Sequence, residues 1–354
     1  MKYTPTFLIE KRREKWQSAN PDKRIEEDKR FREAVANEII ENKEFREEII
    51  KYPEYLVELE FVIVDKEQNT VPFFLNEVQK TFIATLNQAK DDYNNKRILA
   101  IKLNVLKGRQ QGFTTIITAY QLACAILNKN FSGYTLSDKA DNTEAIFQNK
   151  AKFPYDQLPD KLKHTEKYNN RRQLLFEKTN SNWSVDTATK DVGRSKTINF
   201  FHGSECAFWN GGMQSIQAGL GEALTKNCIQ IYETTANGFN DFQKLWNSGT
   251  CINCFYQWWL TYEYRMNFET EEIKSRKGLP THCIATPFLF FYKSTFNLPK
   301  LPAHPPIPAR FRISKSNKPG YHRCRLRHRL AAAESKPHIY LLQPYVAKQL
   351  SNQI

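Results

Sequence analysis

The residues best suited to chemistry lie in the segment KGRQQGFTT, residues 107–115, which follows an apolar run and leads into a helix-like run. Backbone N–H groups of a turn that enters a helix bind anions, and the positive N-terminus of the helix strengthens that binding. Gly108 and Gly112 would let the backbone turn tightly around phosphates. The hydroxyl of Thr114 stands where it can ligate Mg²⁺. The segment therefore indicates a phosphate-binding loop.

The loop departs from the usual G-x-x-x-x-G-K-[ST] pattern at two positions. Lys107 stands where the first glycine is usual, and Phe113 stands where the phosphate-binding lysine is usual. Arg109 or Lys107 could supply the missing cation, and an arginine can fork across two phosphate oxygens. The alternative is a strand–helix turn with incidental basic residues. The predicted nucleotide-binding residues are Gln79, Lys107, Gly108, Arg109, Gln110, Gln111, Gly112, Phe113, Thr114 and Thr115.

A second segment, KTINFFHGSECAFW, is an apolar run that ends in an acidic residue. A parallel strand of this kind delivers its last side chains to the edge of the sheet where ligands bind. Glu205 could act there as the general base that polarises an attacking water. Ser204 occupies the position of the usual metal-linked aspartate, and its hydroxyl could hold a metal-bound water. The alternative is an ordinary acidic turn residue.

A third segment, IQIYETTANGFND, is a strand-like run that ends in polar residues. Polar groups at a strand end can sense a terminal phosphate and pass its loss to a neighbouring domain. The alternative is a plain strand followed by an Asn-Gly turn. The predicted coupling residues are Thr234, Thr235, Ala236, Asn237 and Gly238.

A fourth segment, PFFLNEVQKTFI, precedes the loop and becomes helical from about Asn76. Gln79 could hydrogen-bond an adenine edge while Phe73 or Phe74 stacks on the base. An exposed helical glutamine is the alternative. The order of the four segments is the order expected of an ATP-driven motor, and this order is more specific than any one segment.

Strand-like and helix-like runs alternate from residue 97 to residue 260, which predicts an α/β fold with a mostly parallel sheet flanked by helices. The predicted strands are ILAIKLNVL, FSGYTLSD, WSVDTA, KTINFFH, NCIQIYETT and NCFYQWW, and the predicted helices are 113–128, 140–152, 211–224 and 239–247.

Composition divides the chain into three segments. Residues 1–60 are dense in charge, with apolar residues at helical spacing, which predicts two or three helices with solvated faces; a docking arm is the alternative. Residues 61–270 form the predicted α/β domain. Residues 271–354 are rich in proline, show no sustained period and are expected to be poorly ordered.

The net charge of +14 is carried by the tail, because residues 274–354 hold 15 Lys and Arg but a single acid, Glu334. The preceding residues are neutral overall, so the basic pI says little about them. Seven cysteines are scattered, and only Cys251 and Cys254 are close together. This pattern favours buried thiols in a reducing compartment over a zinc site. No apolar run is long enough to predict a membrane span.

In this order, the motifs resemble the large terminase subunit of tailed bacteriophages, the motor that packages DNA into the capsid. KGRQQGFTT is similar to the family's variant Walker A loop, whose basic residue is displaced forward. HGSECAFW is similar to its variant Walker B strand, and ETTANG to its coupling motif. The segments DVGRSKT and FYQWWLTYEYR are also similar to parts of this group. The resemblance covers about residues 60–270, the ATPase half.

The resemblance implies a P-loop ATPase fold of the RecA/ASCE type, which uses ATP and Mg²⁺. It implies that Arg109 contacts phosphates, that Glu205 activates water, and that residues 234–238 couple hydrolysis to DNA movement. Arg194 becomes a candidate second arginine, in cis or across a subunit boundary, with Arg171 and Arg172 as competitors. The implied metal residues are Thr114, Ser204 and Glu205.

The resemblance also implies the partners. These are double-stranded DNA, a portal protein, a small terminase subunit, and further copies of the chain in a homo-oligomeric ring on the portal. The expected location is the host bacterial cytoplasm, at the assembling procapsid and not in the mature virion. Two other readings stay open, a helicase-like DNA-dependent ATPase and an inactive terminase remnant that only binds. No second set of motifs follows residue 260, which disfavours the helicase.

The family carries a C-terminal RNase-H-like nuclease, which holds two metal ions on clustered carboxylates. Residues 274–354 contain no Asp and one Glu, so endonuclease activity is not expected from this chain. One explanation is a change of reading frame, or gene decay, near residues 275–295. The rival explanation is a basic tail that binds DNA phosphates.

Overall fold

The N-terminal part of the chain folds into four helices that lead into a small hairpin. The structure, a computed structural model, describes residues 3–170, 172–189, 192–193 and 196–261. The helices are α1 (Pro5–Ser18), α2 (Arg24–Glu41), α3 (Lys43–Lys51) and α4 (Glu54–Glu60). The antiparallel hairpin consists of β1 (Val62–Val64) and β2 (Thr70–Pro72).

The remaining elements build an α/β layer structure. Its strands are β3 (Lys102–Lys107), β4 (Ser132–Ser137), β5 (Glu166–Asn170), β6 (Gln173–Phe176), β7 (Ser181–Thr187), β8 (Ile198–Gly203), β9 (Leu224–Thr234) and β10 (Ile252–Tyr256). Its helices are α5 (Glu77–Asn94), α6 (Phe113–Leu127), α7 (Ala140–Ile146), α8 (Phe153–Asp156), α9 (Met213–Leu220) and α10 (Asp241–Asn247), with a π-helical turn at Phe147–Lys152 and 3₁₀ turns at Asp160–Leu162, Cys206–Phe208 and Trp258–Leu260.

One eight-stranded sheet organises these elements, in the order β10-β3-β9-β8-β4-β7-β6-β5. The six strands from β10 to β7 pair in parallel. The last two strands, β6 and β5, pair antiparallel at the edge. Strand β9 lies between β3 and β8, so the strand that leads to the loop and the strand that ends at the acid share one neighbour.

The core lies on both faces of this sheet. Helix α6 is apolar on nearly all sides and is buried along most of its length, as expected for a helix enclosed by other elements. The larger hydrophobic cluster joins side chains of the N-terminal helices, such as Ile39 and Leu59, to Phe82 and Leu103 beside the sheet. All the described residues belong to one compact unit, Met1–Pro299.

A buried charge cluster fixes the N-terminal helices. Arg12 donates from Nε and Nη2 to the two carboxylate oxygens of Asp28, at 2.8 and 2.9 Å. Its Nη1 donates to the backbone oxygen of Glu58 at 2.8 Å. Arg32 donates to the same Asp28 and to the backbone oxygen of Gln157, at 2.9 and 2.6 Å. We call Arg12, Asp28 and Arg32 the N-terminal cluster.

The prediction of an α/β fold with a mostly parallel sheet is confirmed. The predicted helices 113–128 and 239–247 correspond closely to α6 and α10, whereas 140–152 continues through the π-helical turn. The antiparallel strands β5 and β6 were not predicted. The division into segments 1–60, 61–270 and 271–354 stays a prediction, and the tail lies outside the described residues. Among the described helices, none is long and apolar enough to cross a membrane.

Candidate functional site

The predicted phosphate-binding loop connects β3 to α6 at the carboxyl edge of the parallel strands. Gly112 precedes the helix in the left-handed conformation, with φ 75°, and no side chain caps the helix there. The N–H groups of the first helical turn have no helical acceptor, so this end of α6 can bind an anion. A Cβ on Gly108 would lie 2.8 Å from the Cβ of Trp258, so only glycine fits beside that residue.

Gln111 holds the loop in shape. Its Oε1 accepts from the backbone N–H of Gly108 at 3.0 Å, and its Nε2 donates to the backbone oxygen of Gln257 and to Oγ1 of Thr261, at 2.9 and 3.0 Å. The Gly108 N–H also donates to the backbone oxygen of Tyr256 at 3.1 Å. The predicted nucleotide-binding residue Gln111 therefore shapes the loop from inside, and it is 1% exposed.

Gln79 contacts the same loop from helix α5. It forms a capping box with Asn76, and its Nε2 donates to the backbone oxygen of Gly112 at 3.1 Å. Phe73 is buried, and the Phe74 ring packs against the guanidinium of Arg13 at 4.4 Å. The adenine-contacting role of Gln79 stays a prediction, but the structure gives this side chain a second role in supporting the loop.

Phe113, at the position of the usual lysine, is a core residue. Its ring is 1% exposed and packs against the rings of Phe82 and Tyr256, with centroids 5.6 and 4.8 Å apart. Arg109 and Gln110 are exposed on the outer side of the loop. The role of Arg109 as the displaced phosphate cation stays a prediction.

Lys107, the other candidate cation, lies between two carboxylates. Its Nζ donates to Oε1 of Glu205 at 2.9 Å and lies 3.6 Å from Oε2 of Glu233. Burial would lower the pKa of Lys107, but the charges of Glu233 and Glu205 outweigh it and raise that pKa. Lys107 is therefore a buried ammonium ion that joins the loop strand to the acid-ended strand.

Glu233 was not singled out in the sequence, yet it lies at the centre of the site. Thr114 and Ser204 donate their hydroxyls to its Oε1, the latter at 3.1 Å, and Nε2 of His202 lies 3.2 Å from the same oxygen. Burial would raise the pKa of Glu233, but the charge of Lys107 and the hydrogen bond of His202 lower it to about 2. An ionised carboxylate only accepts, so His202 donates from Nε2.

The predicted metal residues Thr114 and Ser204 are brought together by this carboxylate. Their hydroxyl oxygens are 3.5 Å apart. Oxygen ligands of this kind suit Mg²⁺, which favours hydroxyl, carboxylate and water oxygens. Oε2 of Glu233 is buried and accepts no hydrogen bond among the described residues, and Lys107 contacts it only as an ion pair at 3.6 Å, so a metal ion could bind it more closely. The residues present therefore fit Mg²⁺.

Glu205 joins the site to the predicted coupling segment. Its backbone is left-handed, with φ 51°, an uncommon conformation for a non-glycine residue that is often found at functional sites. Oε2 accepts from the backbone N–H of Thr235 at 3.2 Å and from the hydroxyls of Thr234 and Thr235 at 3.5 and 3.4 Å. The side chain is 26% exposed, so water can reach it.

The rest of the coupling segment is tied to the turn after Glu205. The Thr234 hydroxyl accepts from the backbone N–H of Ala207 at 3.2 Å, and Nδ2 of Asn237 donates to the backbone oxygen of Ala207 at 2.9 Å. Ala236 and Gly238 continue the chain away from β9. A movement of Glu205 would therefore alter the hydrogen bonds that this segment makes.

Lys150 is a further basic residue that the sequence did not reveal. It lies in the π-helical turn, a feature that is frequent at functional sites, and its Nζ donates to Oγ1 of Thr115 at 2.9 Å. Burial lowers the pKa of Lys150. A lysine within a charged helical run is indistinguishable from a solvated one in sequence, so no signal marked it.

A buried polar chain supports Glu233 from behind. Nδ1 of His202 is 3.5 Å from the Thr135 hydroxyl, which donates to Oε1 of Gln121 at 2.8 Å. The same Gln121 oxygen accepts from Nε1 of Trp183 at 3.0 Å. These side chains are fully buried, so they enclose the ring of His202 on the side away from Glu233 with little free space.

Of the three candidates for the second arginine, only Arg172 lies within the described residues. Arg194 and Arg171 lie outside the described residues. Arg172 precedes β6, and its Nη1 lies 3.5 Å from Oδ1 of Asp186. The assignment of a second arginine to the site stays a prediction.

Comparisons with known proteins add little to this geometry. Neither a protein-family model nor a curated protein matches the chain. Among solved structures, the chain is similar to the large terminase ATPase domain of Thermus phage P74-26, with 14% sequence identity and a TM-score of 0.37. The match covers 55% of this chain and 87% of that chain. At such a TM-score the likeness carries no argument about function, which depends on the residues of the site.

Proposed function

We propose that this chain is a P-loop ATPase of the RecA/ASCE type and, more specifically, the ATPase part of a terminase large subunit that moves double-stranded DNA into a procapsid. The observation that carries the proposal is the position of Glu205. One of its carboxylate oxygens is bonded to Lys107 at the loop, and the other is bonded to Thr235 of the coupling segment. The loop, the acid and the coupling segment thus form one connected site.

The strand order supports the same proposal. Strand β9, which carries the coupling residues, separates the loop strand β3 from the acid-ended strand β8. The ends of these strands lie at the carboxyl edge of the sheet, where ligands of open α/β sheets bind. Sequence motifs that are up to about 120 residues apart are therefore within contact distance of one another.

In this proposal the loop binds the phosphates of ATP. The open N-terminus of α6 supplies N–H donors and positive potential, and Lys107 and Arg109 supply cationic side chains. Thr114 would hold Mg²⁺, with Ser204 and Glu205 beside it. When bound, this ion neutralises negative charge on the phosphate oxygens.

Glu205 is the proposed general base. Its partly exposed carboxylate accepts a proton from the attacking water as the water oxygen bonds to the outermost phosphorus and the bond from that phosphorus to the departing ADP oxygen breaks. Because Thr234 and Thr235 hold Oε2, a change of charge or position at Glu205 alters these contacts. Residues 234–238 would carry that change to the DNA-moving part of the motor.

The proposed partners follow from the motif resemblance. They are double-stranded DNA, a portal protein, a small terminase subunit and other copies of the chain in a ring. The proposed location is the host bacterial cytoplasm at the procapsid. A helicase-like ATPase is the competing activity, and strand separation by the purified chain would favour it.

The test is ATP hydrolysis by the purified full chain, with and without double-stranded DNA. Wild type is expected to hydrolyse ATP, and Glu205→Gln to lower kcat by about 10²–10⁴-fold, the range for loss of a general base, with nucleotide affinity unchanged. Glu26→Gln is the matched control, because Glu26 is an exposed glutamate of α2. Undiminished turnover in Glu205→Gln would remove the proposed mechanism.

Arg109→Ala tests the displaced-cation assignment separately. The variant is expected to weaken nucleotide binding, because it removes a cation from the phosphate loop. If both affinity and rate are unchanged, Arg109 does not contact the phosphates and Lys107 remains the candidate.

A further inference from the structure

The site contains one buried carboxylate oxygen that its neighbours do not satisfy. Oε1 of Glu233 receives the hydroxyls of Thr114 and Ser204 and the ring nitrogen of His202. Oε2 receives no hydrogen bond among the described residues, and the nearest cation, Nζ of Lys107, is 3.6 Å away. An ionised carboxylate oxygen that is buried without a hydrogen-bond donor is costly, and the ion pair with Lys107 at 3.6 Å compensates it only in part, so a closer cation would stabilise it.

The position of this oxygen is specific. Glu233 pairs with Val105 in the sheet, one residue before Thr234, and so lies beside the strand that leads into the loop. Its Oε1 holds the hydroxyl of Thr114, the residue predicted to ligate Mg²⁺. It also holds Ser204, the residue that stands where an aspartate is usual in Walker B strands. The negative charge missing at residue 204 is therefore present at nearly the same place, supplied by the neighbouring strand.

We propose that Glu233 is the carboxylate of the magnesium centre, in place of the aspartate that Ser204 replaces. This inference rests on the proposed ATPase function and identifies a residue that it lacked. Glu205 then serves as base alone, and Ser204 serves to orient Glu233. His202 contacts Oε1 of the same carboxylate, 3.2 Å from its Nε2.

Lys107 marks where the cation belongs. Its ammonium group lies 2.9 Å from Oε1 of Glu205 and 3.6 Å from the buried Oε2 of Glu233. An incoming triphosphate at the adjoining loop would attract this ammonium group away from the carboxylates. Metal and nucleotide are therefore expected to enter together, and the metal to bind weakly alone.

The test measures the affinity of the full chain for Mn²⁺, by electron paramagnetic resonance, in the presence of the non-hydrolysed analogue AMP-PNP. Glu233→Gln keeps the shape and the Oε1 acceptor but removes the charge. Its Kd for Mn²⁺ is expected to rise by about 10–100-fold, the usual effect of losing a carboxylate that supports a metal. AMP-PNP binding in EDTA is expected to match wild type, because the loop itself is unchanged.

Two controls separate metal binding from packing. Glu60→Gln changes another fully buried glutamate, in the N-terminal helices, and is expected to leave the Kd for Mn²⁺ unchanged. Ser204→Ala is expected to weaken Mn²⁺ less than Glu233→Gln does. If Glu233→Gln retains wild-type affinity, or Ser204→Ala weakens Mn²⁺ equally, the assignment of Glu233 is wrong.

Glu233→Asp keeps the test decisive if the glutamine variant does not fold. The shorter side chain retains the charge but withdraws it from the hydroxyl of Thr114, so an intermediate Kd for Mn²⁺ is expected. Wild-type affinity in Glu233→Asp would contradict the proposal.

The outcomes distinguish this inference from the proposed function. If wild type hydrolyses ATP but Glu233→Gln leaves the Kd for Mn²⁺ unchanged, the inference alone fails. If wild type binds AMP-PNP with Mn²⁺ through Glu233 but does not hydrolyse ATP, the proposed function alone fails. If wild type binds no nucleotide, both fail.

Discussion

Glu60, at the end of α4, and Glu233, near the end of β9, are both fully buried, but their pKa values shift in opposite directions. Burial raises the pKa of Glu60 well above its usual value, and the charges of Arg12 and Arg32 only partly oppose this. No hydrogen bond among the described residues reaches either of its carboxylate oxygens. At Glu233 the opposing interactions outweigh burial.

The difference lies in the neighbours. The arginines near Glu60 are already committed, because both bond to Asp28 and to backbone oxygens. Lys107 instead lies between Glu205 and Glu233, and three further donors converge on Oε1 of Glu233. A folded chain can therefore accept a neutral glutamate where it only packs, but it maintains an ionised one where several elements supply donors.

The two charge clusters differ in how completely their charged groups are hydrogen-bonded and in how exposed they are. In the N-terminal cluster, the hydrogen bonds of Arg12 go to Asp28 and to backbone oxygens, and all three side chains are buried. At the sheet edge, Oε2 of Glu233 lacks a donor and Glu205 is partly exposed. Arg12, Arg32 and Asp28 therefore satisfy one another, whereas the sheet edge keeps an ionised carboxylate oxygen that accepts no hydrogen bond from the described residues.

The largest effect is expected from Lys107→Met. Removing one partner of a buried ion pair costs about 3–5 kcal/mol of unfolding free energy, because the carboxylates of Glu205 and Glu233 are left uncompensated. Urea unfolding measures the loss. Added Mg²⁺ is expected to recover part of it, because the ion replaces the ammonium group and binds only the folded state. An equal loss of unfolding free energy with and without Mg²⁺ would show that the sheet-edge site does not bind the ion and so does not differ from the N-terminal cluster.

Arg12→Met is the counterpart in the N-terminal cluster. It removes the bidentate bond to Asp28, so a loss in the same range or slightly below, about 3 kcal/mol, is expected. Mg²⁺ should give no recovery, and kcat per folded molecule should not change. Arg30→Met is the control, since its pair with Glu26 is exposed and worth less than about 1 kcal/mol. Recovery by Mg²⁺ in Arg12→Met would show that the two clusters do not differ.

Glu60→Gln sharpens the comparison through pH. Unfolded Glu60 ionises near its usual pKa of 4.5, whereas the folded chain retains the proton to higher pH. Unfolding then releases a proton, so the contribution of Glu60 to stability falls as pH rises from the unfolded value through the folded pKa. Glutamine carries no such penalty, and the advantage of the variant should grow with pH. A difference in urea midpoint that is constant between pH 4 and 7 would oppose the assignment.

Ser204→Ala is expected to have the smallest effect. It removes one hydrogen bond to Glu233, which already has two other donors on the same oxygen, so a loss of about 1 kcal/mol is expected. Thermal unfolding, converted to free energy at the midpoint, measures it. A loss of unfolding free energy as large as that of Lys107→Met would show that Ser204, and not Glu233, is the residue on which the stability of the site depends.

Local patterns predicted much of the fold. The apolar run before residue 107 and the helix after Phe113 are local signals, and α6 begins at that residue. The helix predicted from about Asn76 is α5, which begins at Glu77 with Asn76 as its cap. Strands β5 and β6 were not predicted because β5, EKYNN, is polar throughout and β6, QLLF, is too short to show alternation. Strand β6 is defined by its antiparallel pairing with β5 and with β7 rather than by its own sequence pattern.

The site was predicted in part. Thr114, Ser204 and the residues around Glu205 were named from their motifs, and the structure brings them together. Glu233 was not named, because its importance arises from β9 inserting between β3 and β8, a pairing that no local pattern reveals. A carboxylate inside an apolar strand was nevertheless a usable signal, since burial of an unpaired charge is unfavourable.

The central claim is that Glu205 removes the proton from the attacking water in a site that binds ATP. The most direct measurement is the identity of the nucleotide recovered after the chain is mixed with a sub-stoichiometric amount of ATP and Mg²⁺. Wild type is predicted to yield ADP and phosphate, whereas Glu205→Gln is predicted to retain intact ATP. Recovery of ADP from both proteins at the same rate would contradict the claim.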